Sequence, residues 1–175
     1  MTTARAAEEL WDALCALREP LVALNVTVWE DRPRNDEVML ADSLGDTVVE
    51  ACGWLEGAIG AVREARDNAG DAAALSDSLV DCGEQFDRLE RTFWSGLASY
   101  ERLAEVDALG GERGAWRGWS RGVCSSVADC GAVLHQARAA LFGCWRELAG
   151  EFGRSLVTVN TTSVGQQISP ARGRA

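Results

Sequence analysis

From Asp71 to Leu109 the residues Leu75, Leu79, Cys82, Phe86, Leu89, Phe93, Gly96, Tyr100 and Leu103 recur at alternating spacings of four and three. That rhythm predicts one long helix with a single apolar seam and a charged outer face. Leu10, Leu14, Leu17, Leu21 and Leu24 repeat the same spacing and predict a first helix, with Thr2 or Thr3 as its N-cap. Leu44, Val48, Ala51, Leu55, Ala58 or Ile59, and Val62 predict a second helix from Asn35 or Asp36 to about Ala69. A fourth, of about 35 residues, is marked by Trp116, Trp119, Val123, Val127, Cys130, Leu134, Ala137, Leu141, Cys144, Leu148 and Phe152.

The punctuation between these stripes sets the topology. Pro20 lies inside the first stripe and predicts a kink or break near Glu19, since proline removes a backbone donor and crowds the preceding turn. Beyond Leu24 the β-branched and aromatic run Val26-Thr27-Val28-Trp29 and the charged turn from Glu30 to Asn35 read as the first connection. Gly70 suits a left-handed C-cap and Asp71 a following N-cap, which predicts a tight hairpin between the second and third helices. The glycine cluster Gly110-Gly111 with Gly114 marks the last turn. Four one-sided seams in one chain can cover one another, so the expected fold is all-α. It is an elongated antiparallel four-helix bundle over residues 1–153, about 50 Å long at 1.5 Å per residue, with a polar C-terminal tail over 154–175.

Composition narrows the partners. The chain has 175 residues, is 47% apolar and carries 27 acidic against 17 basic residues, a net charge of −10 that disfavours nucleic acid and anionic lipid as general partners. Every basic residue is Arg, a bias that fits a GC-rich genome. The acidic residues Glu8, Glu9 and Asp12 near the N-terminus argue against a secretory signal, and no stretch reaches the roughly 18 apolar residues of a membrane span, so a cytoplasmic location is expected.

Candidate chemistry is sparse. The six cysteines, at 15, 52, 82, 124, 130 and 144, form no CxxC pair and read as core thiols, against the alternatives of a disulfide framework or a soft-metal site. Asp42, Asp46 and Glu50 stand four apart, and Glu9 with Asp12 forms an ExxD. That arrangement is similar to the carboxylate helices of MazG-like pyrophosphohydrolases. It lacks their ExxE, and a solvated acidic face is the plainer reading. His135 is the lone histidine and has no acid three residues before it, so no di-iron ExxH pair can form. With no nucleophile elbow, phosphate loop or dinucleotide fingerprint, the chain is expected to be neither an enzyme nor a cofactor binder.

Seven tryptophans stand out. Trp116 and Trp119 alternate with Arg113, Arg117 and Arg121, which reads either as core aromatics covered by Arg stems or as a partner-binding surface. Trp94-Ser95-Gly96 and Trp116-Arg117-Gly118 spell the WxG of helical-hairpin substrates of type VII secretion, but Gly96 lies inside an unbroken seam and not at a turn.

The tail differs in kind. Ser155 to Ile168 has no charged residue and no proline, and is rich in Val, Thr, Asn and Gln. Such a run has the composition of strands that stack with copies of themselves, and its alternative is a disordered terminus. The candidate self-assembly residues are Val157, Val159, Asn160, Val164, Gly165, Gln166, Gln167 and Ile168.

A helical bundle ending in one short β-prone motif resembles the HeLo-like and Bell-type proteins of fungal and bacterial amyloid signalling. The residues behind the resemblance run from Val157 to Ile168, and Val164-Gly165-Gln166-Gln167-Ile168 is loosely similar to the glycine-spaced motif core. The resemblance implies a cell-death or defence effector, with a sensor protein carrying a matching motif as partner and with a membrane as target after activation. The first helix, through Leu10, Trp11, Leu14 and Leu17, would then be the membrane-inserting element. The alternative is a structural or adaptor bundle that binds a protein partner through its Trp-rich faces.

Overall fold

The computed structural model describes the backbone of residues 2–30, 38–68, 70–109 and 113–165, and the side chains within 2–30, 42–68, 70–96 and 118–154. Four helices follow one another: α1 (Thr3–Glu30), α2 (Val38–Asp67), α3 (Ala72–Leu109) and α4 (Arg113–Gly165). Each packs on its two neighbours in a closed ring, α1 on α2, α2 on α3, α3 on α4 and α4 on α1. No strand occurs among the described residues.

The four stripes meet at the centre. Leu10, Leu14, Leu17, Leu21 and Leu24 face Leu44, Val48, Ala51, Leu55, Ala58, Ile59 and Val62, and all are buried. From the other side come Leu75, Leu79, Cys82, Phe86, Leu89 and Phe93 of α3 and Trp119, Val123, Cys130, Leu134, Ala137, Leu141, Cys144 and Leu148 of α4. Truncating any one of the fully buried leucines to alanine removes about 2–5 kcal/mol, so the seams hold the bundle together.

The helices run antiparallel in a fixed register. Arg66 of α2 pairs with Glu8 of α1 at 2.7 Å, Arg18 with Glu56 at 2.6 Å, and the Trp29 ring covers Gly45. In all three pairs the residue numbers add to 74, which is the signature of one straight antiparallel hairpin.

Three local expectations are corrected. α1 does not break at Pro20 but continues to Glu30. The carbonyl that loses its partner belongs to Ala16, which is exposed and can be hydrated, while Leu17, Leu21 and Leu24 on either side stay buried and keep the helix in line. Residues 26–29 are helical too: Val28 is buried and Thr27 returns its hydroxyl to the Ala23 carbonyl at 3.0 Å, so packing overrides β-propensity. Gly70 follows α2 without entering the left-handed region. The turn closes instead through Asp71, whose N–H donates to the Asn68 carbonyl at 2.9 Å.

The expected caps form. Asp71 Oδ1 accepts from the backbone N–H groups of Ala73 and Ala74 at 3.0 and 3.2 Å, and Thr2 Oγ1 accepts from Arg5 N–H at 3.4 Å. α4 is much longer than expected, 53 residues against about 35, because it begins at Arg113 and continues through the first twelve residues of the tail, 154–165. Gln166, Gln167 and Ile168 lie outside the described residues, as does the turn at 31–37.

Candidate association surfaces

The residues proposed as a membrane or partner face fall mostly inside the bundle. Leu10, Leu14 and Leu17 are wholly buried, and Trp119 is 3% exposed with its indole N–H donated to the Thr27 carbonyl at 3.0 Å. They are core, so a partner or bilayer reaches them only if α1 leaves the bundle. Trp11 alone of the described set reaches the surface, and there the guanidiniums of Arg63 and Arg66 lie 5.4 and 4.8 Å from its ring centre. The side chain of Trp116 lies outside the described residues.

Sequence periodicity alone could not reveal which arginines cover which rings. Arg88 lies 4.9 Å over Trp54, and Arg138 covers both Phe86 and Phe142. Arg138 also pairs with Glu90, its Nε donating to Oε1 at 2.7 Å, and reaches Asp87 at 3.3 Å. Asp87 and Arg88 therefore turn to neighbouring helices. Among the described residues the α3 and α4 backbones approach closely over less of their length than in the other three seams. Large side chains fill it from both sides: Trp94 of α3 against Gly131, and Trp145 of α4 against Gly83.

Asp46 and Glu50 are exposed, Glu50 accepting a hydrogen bond from Trp54 Nε1 at 3.3 Å, and His135 is exposed. Among the described residues no group of three or more His, Cys, Asp or Glu could hold a metal ion. Cys82, Cys130 and Cys144 are buried, and burial pushes each thiol up to about 12; Cys15, Cys52 and Cys124 are half-buried, with burial raising the latter two. No helix among the described residues is long and apolar enough to cross a membrane.

Two features remain at the surface. On the outer side of the α1–α2 pair, Val22, Val26 and Trp29 are 56, 40 and 37% exposed. The register places them beside Val49, at 53%, so the four form one apolar patch. The second feature is the end of α4. Glu151 accepts from the backbone N–H of Thr3, the first residue of α1, at 3.3 Å, and the Thr3 hydroxyl and N–H beside it hold its carboxyl below the usual range. Trp145 lies opposite Gly83, so Ala72, eleven residues before Gly83, comes level with about residue 156.

From there to Gly165 the helix runs beyond the other three. The stretch from Glu151 to Gly165 is about 21 Å long at 1.5 Å per residue. Phe152, the final member of the α4 stripe, is already 44% exposed, one residue past the level at which α1 begins. Of the proposed self-assembly residues, Val157, Val159, Asn160, Val164 and Gly165 lie on this projecting helix. No protein family, no curated protein and no solved structure matches the chain.

Proposed function

We propose that the chain is a non-enzymatic signalling effector whose C-terminal segment recruits it to a partner by stacking with a matching segment, in the manner of HeLo-like and Bell-type proteins in cell death or defence. The observation that carries this reading is the projection of α4 past Thr3, which brings an uncharged, Val- and Thr-rich run out of the bundle and away from its acidic faces. Stacked identical strands pair every backbone group and align Asn160, Gln166 and Gln167 into ladders, whereas an acid in the run would stack like charges at about 4.8 Å. Action on a membrane, in this reading, follows release of α1, since Leu10, Leu14 and Leu17 are buried until then.

The test is a peptide of residues 154–170. It should form thioflavin-positive fibrils, and Val164→Asp should prevent them while leaving the helix content of the full chain unchanged. A wild-type peptide that stays soluble at high concentration defeats the proposal.

A second reading, an adaptor bundle, is favoured by the exposed patch of Val22, Val26, Trp29 and Val49. It expects a chain ending at Gly153 to keep its activity in cells, and Val26→Glu with Val49→Glu to lose it. The effector reading expects the opposite in both.

A further inference from the structure

Gly150 and Gly153 flank Glu151, about one turn before α4 outruns the other helices. Both are exposed, and a Cβ added at either would meet nothing within 4 Å among the described residues. Close packing therefore does not account for them, in contrast to Gly45 and Gly96, where a Cβ would strike Trp29 and Thr47 at 2.4 and 3.1 Å. What glycine does at an open helical position is weaken the helix, by roughly fivefold in its equilibrium relative to alanine.

The helix beyond them is a poor one. Of the eleven residues 155–165, six are β-branched: Val157, Thr158, Val159, Thr161, Thr162 and Val164. Such residues lose side-chain freedom in a helix and favour extended backbone, and a helix end with no neighbours to pack on is held only by its own weak propensity. While it persists, its backbone N–H and C=O groups bond within the helix and cannot pair with a template strand.

We infer that the Gly150–Gly153 step is a release point: it lets the projecting end of α4 unwind as a unit from the bundle edge, and so sets how readily the recruitment segment passes from helix to strand. The inference rests on the recruitment reading above and adds its control. The bundle stays folded through the change, because the seam ending at Leu148 lies on its near side.

The test uses the full chain, seeded with preformed fibrils of the 154–170 peptide, and compares wild type with Gly153→Ala, with Gly150→Ala/Gly153→Ala and with Ser155→Pro. Proline at 155 breaks the helix ahead of Val157, the first of the self-assembly residues. Seeded incorporation should slow about fivefold for the single alanine variant and about 25-fold for the double, and should speed up for the proline variant. Amide exchange over residues 156–165 of the unseeded chains should shift in the same order. Equal rates in all four chains overturn the release point while leaving recruitment standing. A wild-type chain that takes no part in seeded growth overturns both.

Discussion

Trp119 donates its indole N–H to the carbonyl of Thr27 at 3.0 Å, joining the start of α4 to the last turn of α1. That carbonyl is among the last four of α1, which have no partner within the helix, so the indole satisfies a group the helix itself leaves open. The ring also fills the core at 3% exposure. Trp119→Phe keeps most of the apolar volume and should cost about 1–3 kcal/mol through the lost bond. Trp119→Ala adds a cavity and should cost about 3–5 kcal/mol, both read by urea unfolding. Equal stability of the phenylalanine variant and wild type would show that the bond contributes nothing.

Glycines split into two groups by what lies over them. A Cβ at Gly45 would sit 2.4 Å from the Trp29 ring, whereas Gly53 and Gly60 face open space. Gly53→Ala and Gly60→Ala should each stabilise the protein by about 0.5–1 kcal/mol. Gly45→Ala should destabilise it, and the loss should shrink in a Trp29→Ala background, where the obstructing ring is gone. Thermal melts of these variants decide the matter.

Arg138 pairs with Glu90, whose side chain is only 16% exposed, while covering Phe86 and Phe142. Arg138→Ala strands a half-buried carboxylate and uncovers two rings, and should cost about 2–3 kcal/mol. Adding Glu90→Gln should recover part of that loss. Failure of the second change to help would mean that stem packing, and not the charge pair, is what Arg138 contributes.

The Arg18–Glu56 pair is different because both side chains are about half exposed. The hydrogen bond from Arg18 holds the Glu56 carboxyl below its ordinary 4.5. A depressed carboxylate contributes stability that is present above 4.5 and is lost as pH falls through the lower folded value. Solvent screening keeps that contribution under about 1 kcal/mol. Glu56→Gln should thus be mildly destabilising at pH 7, and the difference from wild type should close below pH 4.5. A difference that stays constant across that range contradicts the pairing.

Native alkylation should separate the cysteines. Cys82, Cys130 and Cys144, buried and pushed up to about 12, should label only after unfolding. Any native labelling should map to Cys15, Cys52 and Cys124, which mass spectrometry of the digested protein can assign.

The bundle was legible in the sequence because four stripes at helical spacing need one another, and the buried positions from Leu10 to Leu148 follow those stripes. The spacing could not show that α1 passes through Pro20 and Val26-Thr27-Val28-Trp29, since both depend on burial of Leu21, Leu24 and Val28 by other helices. It also could not tell a partner face from a core face: Leu10, Leu14, Leu17 and Trp119 lie on the apolar side in either case, and only the neighbouring helices decide. Arg138 with Glu90 and Trp29 with Gly45 were missed for the same reason. Each is a contact across helices, set by a register that emerges once the hairpins close. The tail was read from composition, which speaks for strand, while the continuation of α4 to Gly165 follows the chain direction set by the helix before it.

In the recruitment reading, the end of α4 up to Gly165 and the residues that follow it to 170 become a stacked strand while the bundle stays intact. Amide exchange on the full chain, before and after addition of preformed fibrils of the 154–170 peptide, tests it most directly. Strong new protection across Val157 to Ile168, with exchange in residues 3–148 unchanged, is the expected result. Unchanged exchange in the tail, or loss of protection throughout the bundle as the tail becomes protected, contradicts it.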